Sequence, residues 1–460
     1  MRDCFHAGAV IVLATLSLAS GGHAQEQTST PPPTSEAILH QLQELQEQVK
    51  ALQAEVTALK SPPTAAHSTE PAAAAPPALA AADMTSAPAT APAPTGLAGL
   101  LGPTTLSGFV DAYYGYNANQ PAGRQNALRN FDINSGQFGL NMLELLADKA
   151  VDSTNRVGYH VALGFGQAMN LVNSTEVGPG AVPGTSISNF DQYLKEGYIM
   201  FMAPVGKGLQ INVGKFVTPA GAEVIESKDN WNYSRGLLFS WAIPYFHFGA
   251  SAKYIFGPKF AVTGYVVNGW NNSIDTNTGK TAGFSVAWTP NSKFSIIETY
   301  LAGPEHLNYN GAFRHLSDTV ITYSPTAKLS LMANYDYGHD HIVSSETVGV
   351  PPFFVGPRAV WGGLAGYVKY APNDKYAFSL RGEYFDDKQG FETGTSQQLS
   401  EFTATLQRTI AKSIITRLEF RRDMSDSAVF PKGNLGDPNV KTQNTVTLGV
   451  MYAFSSADAK

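Results

Sequence analysis

The stretch VTLGVMYAF at residues 446–454 decides the fold. Val446, Leu448, Val450, Tyr452 and Phe454 alternate with Thr447, Gly449, Met451 and Ala453, so an extended chain here has one uniformly apolar face. Side chains of a strand point to opposite faces in turn, and period-two alternation over nine residues excludes a helix. Upstream, Leu209, Ile211 and Val213 alternate with Gln210, Asn212 and Gly214, while Val157, Tyr159, Val161, Leu163 and Phe165 alternate with Gly158, His160, Ala162 and Gly164. Each such strand carries an apolar face, and no segment is left over to cover these faces. Lipid is the natural cover, because a closed antiparallel barrel satisfies all backbone donors and acceptors between its own strands.

Composition agrees. The chain has 460 residues, 43% of them hydrophobic and only 15% charged, with 25 Phe, 20 Tyr and 5 Trp. Charge falls short of the roughly 25% of a soluble domain, and a formal net charge of -6 excludes the basic footprint of a nucleic-acid binder. Beyond the first 20 residues no run approaches the about 18 apolar residues of a spanning helix, so a helical membrane protein is excluded.

Short turns punctuated by Pro, Gly or Asn (PVGKG at 204–208, GPK at 257–259, TPNSK at 289–293, SPTAK at 324–328, APNDK at 371–375, IAKS at 410–413, and 148–155) alternate with longer polar segments. Those segments are 117–130, 171–189, 218–244, 271–280, 303–314, 340–359, 386–397 and 423–441. Seven turns and eight loops predict an all-β, transmembrane antiparallel β-barrel of about 16 strands over residues 105–454, with both termini on the short-turn, periplasmic side. The tail 455–460 would then be periplasmic.

The N-terminal part is built differently. Arg2, the apolar run at 7–19 and Gly22-His23-Ala24 predict a secretory signal peptide over 1–24, which carries away Cys4, the one cysteine. Residues 25–34 are expected to be disordered. Ile38, Leu42, Leu45, Val49, Leu52, Val56 and Leu59 follow a 4-3 spacing, which predicts a parallel coiled coil over 35–60 that joins two or three copies. An amphipathic helix packed on its own barrel is the alternative. Residues 61–104 are an Ala/Pro-rich linker. Residues 25–104 hold two Lys and seven acidic residues, whereas 105–454 hold 27 basic and 28 acidic, so the acidic balance belongs to the arm.

Two resemblances follow. TLGVMYAF (447–454), with Gly449, Tyr452 and Phe454, resembles the C-terminal signal strand through which outer-membrane barrels meet the barrel-assembly machinery. LSGFVDAYYGYN (106–117), SRGLLFSWAIPYFHFGASAKY (234–254) and VVNGWNNSIDTNTGKTAGFSVAWTP (266–290) are similar to the OmpL-like β-barrel porin family of Gram-negative bacteria. That resemblance implies an outer-membrane channel for passive diffusion of small hydrophilic solutes or ions, in contact with outer-membrane lipid, and by analogy a homotrimer formed through coil and barrel walls. It implies no cofactor.

Candidate site residues come from the longest loop and from strand parity. Loop 218–244 carries Glu223, Glu226, Asp229 and Arg235, and its position as third loop suggests that it folds inward as a constriction with acidic groups at the eyelet. A solvated external loop is the plain alternative. In IITRLEFRR the lipid-facing Ile414, Thr416, Leu418 and Phe420 turn Arg417, Glu419 and Arg421 inward; in YAFSLRGEYF the same logic turns Arg381 and Glu383 inward, and it extends to Lys215 and Lys253. An Arg facing lipid at mid-depth costs about 2–4 kcal/mol. The expectation is a basic ladder facing an acidic loop across water, sorting solutes by charge; wall-stiffening ion pairs are the alternative. No metal site is expected: His339-Asp340-His341 sits at a strand exit where solvated polar residues belong, and Val286 stands where a calcium loop needs a Glu. No catalytic residue is assigned. A tethering barrel without conductance and a barrel-borne lipid hydrolase are the competing functions.

Overall fold

The structure is a computed structural model that describes residues 102–174, 191–347 and 349–459. The signal peptide and coiled-coil expectations, and the linker up to residue 101, lie outside the described residues. Sixteen antiparallel strands close into one barrel in sequence order, β1 pairing with β16. The first eight are β1 Thr105–Asn117, β2 Gln137–Lys149, β3 Val157–Phe165, β4 Leu194–Ala203, β5 Leu209–Val217, β6 Phe246–Gly257, β7 Phe260–Val267 and β8 Thr281–Asn291. The others are β9 Phe294–His306, β10 Tyr309–Thr326, β11 Leu329–Thr347, β12 Val350–Asn373, β13 Tyr376–Asp387, β14 Gln397–Ile410, β15 Ile414–Ser425 and β16 Thr442–Ser455. One helix, α1 (Gln167–Ser174), follows β3.

Parity behaves as the alternation requires. On β16 Leu448 is 48% exposed and Thr447 2%; on β15 Leu418 is 51% exposed and Arg417 2%. Burial is therefore inverted relative to a soluble protein, with apolar side chains outside and polar ones inside. Closure fixes Gly108 opposite Phe454 and Tyr113 opposite Gly449, so the last strand completes the hydrogen-bond ladder that begins at β1.

Two expected loops are strands. Segment 303–314 is a tight hairpin: β9 runs to His306, β10 starts at Tyr309, and Asn308 takes a positive φ of 56° at the turn. Segment 340–359 is likewise the continuation of β11 and β12, turned at Gly349 (φ 74°). Polar composition marks a loop only where a strand would bury a face. On the loop side the outward face needs no apolar side chains, and cross-strand pairs such as stacked His315 and His339 (4.4 Å) are enough to continue the ladder.

Candidate functional site

The third loop, residues 218–245, lies inside the barrel. Its middle is sealed: Asn232, Tyr233, Ser234, Arg235, Leu237 and Leu238 are at most 2% exposed. A loop buried there must find partners for its backbone polar groups, and the inward faces of β13 and β15 supply most of them, with Glu223 of the loop itself adding one. Arg417 donates to the carbonyls of Ser227, Asn230 (2.6 Å) and Asn232 (2.9 Å). Glu419 accepts from the amides of Tyr233 (2.6 Å) and Ser234 (3.0 Å). Arg421 donates to the carbonyl of Arg235 (2.6 Å), and Arg381 to that of Ser234 (2.6 Å). Glu383 accepts the amide of Leu237, and Glu223 that of Gly236. The strands thus alternate base and acid to read a loop that alternates carbonyl and amide.

The charges close on one another as well. Arg381 pairs with Glu223 (2.7 Å) and Glu401 (2.8 Å), with Glu383 at 3.6 Å, and Arg421 pairs with Asp423 (2.7 Å). Buried ions survive only when paired and hydrogen-bonded in this way. Two glycines make room. A Cβ on Gly236 would strike the Glu383 carboxylate, and one on Gly449 would strike the Tyr233 ring. Gly449 thus has a packing role besides its place in the signal-strand motif. The Tyr233 hydroxyl donates to Asp111 (2.9 Å), and burial raises its pKa well above the ordinary value.

Glu223, Arg235, Arg381, Glu383, Arg417, Glu419 and Arg421 are therefore brought into one buried cluster, and the acidic loop and basic ladder touch rather than facing one another across water. Arg235 contributes by stacking over Phe131 (4.4 Å) and donating to the carbonyl of Tyr233 (3.0 Å). The other predicted residues lie elsewhere. Glu226 pairs with Lys195 of β4, and Asp229 with its neighbour Lys228 at a more exposed position. Lys215 does not border open lumen: it is fully buried, paired with Asp191 (2.6 Å) and bonded to Asn173 of α1 (3.0 Å). Lys253 is on β6, cross-strand from Thr263 of β7.

Space remains on the opposite side. An inner cavity of about 280 Å³ lies between residues 218–224 and the wall from β7 to β11, lined by Thr263, Tyr265, Ser285, Ser295 and Thr322 among others. An outer cavity of about 380 Å³ opens among the loops, lined by Trp241, Tyr245, Trp270, Asn271 and Asn272 and bordered by Glu305, Arg314 and Glu392. The inward positions of β9 and β10 trace the route between them. Ser295 and Ile297, with Thr322 and Val320, line the inner cavity, and Glu305 and Arg314 line the outer. Between them Leu301 and Leu316 oppose each other in register and, with His247, Trp270, Thr281, Glu305 and Arg314, enclose a gap of about 10 Å³, room for about one water.

Sequence reasoning missed this pair. The available signal was two leucines at inward positions of adjacent strands, on a face that elsewhere carries hydroxyls and charges. Ions beside the gap are spoken for: Arg314 pairs with Asp340 (3.0 Å) and lies over Trp270 (5.0 Å), and Glu305 accepts from Thr281 and the Trp270 amide (2.8 Å). Glu392 is different. Burial pushes its carboxyl up to about 7 against the pull of Arg314, and its Oε1 has no hydrogen-bond partner.

Comparison with known proteins agrees with this architecture. Residues 103–454 match the family described as "Putative beta-barrel porin-2, OmpL-like". No curated protein sequence matches the chain. Similar solved structures include the anion-selective porin of Comamonas acidovorans (12% identity, TM-score 0.49, covering 76% of this chain and 99% of that one). Salmonella typhi OmpF in complex with daunomycin is similar at 12% identity and TM-score 0.49 (76% and 97%). The DcaP channel of Acinetobacter baumannii is similar at 11% and 0.47 (76% and 97%). With the family matched over the whole barrel, the chain belongs to the OmpL-like β-barrel porins of the outer membrane.

Proposed function

We propose that this porin conducts small hydrophilic solutes along the β7–β10 side of its lumen, with the third loop a fixed partition and the Leu301–Leu316 gap the constriction. The observation that carries this is the inner cavity, gap and outer cavity in sequence along β9 and β10. Single-channel recording in planar bilayers tests it. Discrete steps are expected, several-fold larger after Leu301→Ala with Leu316→Ala, because the paired truncation removes two of the side chains that line the gap. An absence of steps above background would favour the second reading, a barrel that only anchors its N-terminal arm; the narrowness of the gap is what speaks for that reading.

The finer assignments belong to the same proposal. Short turns and both barrel termini face the periplasm and the loops face outward, as bacterial barrels are built. With the signal peptide 1–24 removed on export, coil 35–60 and linker 61–104 then form a periplasmic arm through which copies associate, and Gly449, Tyr452 and Phe454 address the assembly machinery. Copies also meet at their walls. Support for that comes from Glu298, on the outward face of β9, which accepts from Ser317 (2.7 Å) and Thr319 of β10, where other walls present Leu364, Leu380, Leu418 and Leu448 to lipid. A carboxyl at that depth is costly in hydrocarbon and is relieved by a neighbouring protein surface.

A further inference from the structure

The outer cavity has the size and the lining of a small-molecule pocket. At about 380 Å³ it offers the aromatic faces of Trp241, Tyr245 and Trp270 and the amides of Asn271 and Asn272. These walls are set in place. Asn271 accepts the amides of Tyr245 (2.6 Å) and Phe246 (3.2 Å), and the Tyr245 hydroxyl accepts from Asn130 (2.7 Å) and donates to the Ser240 carbonyl (3.0 Å).

Charge around this cavity is unbalanced. Glu305, Asp340 and Glu392 lie around one guanidinium, that of Arg314, and Asp387 lies beside Glu392. Most of these groups have partners. Asp340 takes Arg314 (3.0 Å) and His306 (2.9 Å), Glu305 takes the Thr281 hydroxyl and the Trp270 amide, and Asp387 takes the amides of Phe391 (2.8 Å) and Thr393 (2.8 Å). Glu392 is the exception: it borders the cavity, and its Oε1 has no hydrogen-bond partner. The hydroxyl of Thr276, a second lining residue, has none either. Open polar atoms in a buried setting are costly, and a bound donor relieves them.

We propose that the outer cavity is a binding site for a small hydroxylated primary amine, whose ammonium pairs with Glu392 while its hydroxyls meet Thr276 and Asn272 and its C–H faces lie on Trp241 and Trp270. An ammonium brings both the donors that Glu392 lacks and the second positive charge that the cluster lacks. Aromatic faces favour a cation, and at this mouth they already hold one, with Arg314 over Trp270 (5.0 Å) and Phe391 (5.3 Å). An anion would meet the carboxylates of Glu305 and Glu392, and a neutral polyol would leave Glu392 without a counter-ion. The cavity opens among the loops, ahead of the gap, so occupancy needs neither passage nor conduction and goes beyond the channel reading.

Equilibrium titration of the full-length protein, in a detergent without a sugar headgroup, tests this with glucosamine, glucose and gluconate at pH 7.5, read by tryptophan fluorescence and by saturation-transfer NMR. Glucosamine is expected to bind about tenfold more tightly than glucose, as a charge-assisted hydrogen bond provides, and gluconate more weakly than either. Glu392→Gln should remove the preference for the amine and leave glucose as it was. Burial raises the Glu392 carboxyl to about 7, so acidification protonates the anchor. Between pH 7.5 and 5.5 the affinity for glucosamine should fall several-fold in the unmodified protein and stay level in Glu392→Gln. Equal affinities for glucosamine and glucose, a preference for gluconate, or no binding of any of the three overturns the proposal. Binding in a barrel that shows no steps in planar bilayers upholds the site and removes only the channel reading. Should Glu392→Gln fail to give a folded, heat-modifiable barrel, the ligand order and the pH response of the unmodified protein decide.

Discussion

The β13–β16 wall and the β7–β9 wall of this barrel are made by the same alternation, yet their inward faces do opposite work. The first turns Arg381, Glu383, Glu401, Arg417, Glu419, Arg421 and Asp423 inward, all buried against the third loop or one another. The second turns in hydroxyls and small apolar side chains, and space remains beside it. Charge in a barrel lumen is therefore no guide to where solute passes. Here it holds a loop whose backbone would otherwise be unsatisfied, and the open space lies beside the wall without it.

The comparison breaks most visibly at Arg381. Replacing it by Leu leaves Glu223, Glu383 and Glu401 without their shared cation, which should cost about 3–5 kcal/mol as for other broken buried ion clusters. Urea unfolding in lipid or detergent would read the loss, and conductance would rise or turn noisy as the loop detaches. The opposite wall should respond more weakly, with Thr263→Val or Ser285→Ala costing about 0.5–1.5 kcal/mol for the single hydroxyl each removes. Comparable losses on both walls would refute the division of labour drawn here.

A smaller effect is expected where the loop touches the closing strand. Gly449→Ala places a methyl into the Tyr233 ring, and overpacking of this kind costs about 1–3 kcal/mol. Gly264→Ala is the matched control, since a Cβ on that β7 glycine meets nothing within 4 Å. Tyr233→Ala in the Gly449→Ala background should restore much of the loss if the contact with the loop is the cause. A failure to assemble that Tyr233→Ala does not rescue would point to the signal-strand motif instead.

These contacts mark the limit of what the residues alone disclose. Strand parity is legible because it follows from the cost of a charge in lipid, so Arg417, Glu419 and Arg421 could be placed inward one by one. Their partners were not legible. Arg417 binds four backbone carbonyls, and a backbone acceptor leaves no trace in residue identity. The field between loop and ladder was an error of the same origin, since inward parity says that a side chain leaves lipid and not whether it then meets water or protein. Residues 303–314 and 340–359 read as loops and fold as hairpins, because polar residues on both faces mean a loop only inside the membrane span.

The last test concerns a carboxylate that neither wall has claimed. Glu392 lies in the connection between β13 and β14, borders the outer cavity, and is near Arg314 without a hydrogen bond to it. Burial raises its carboxyl from 4.5 to about 7. The folded state therefore holds this proton more tightly than the unfolded chain does. The stability Glu392 contributes is fully present below about 4.5 and is lost as pH rises toward about 7. Because the residue sits in a loop at the mouth, the change should be local: amide protection across residues 388–396, corrected for intrinsic exchange, should fall over that window while protection in β15 stays constant. Glu392→Gln should make the profile flat and keep the loop in its protected, low-pH state. If protection rises instead, an ionised Glu392 is being drawn to Arg314, and the mouth then follows the ion-pairing logic of the β13–β16 wall.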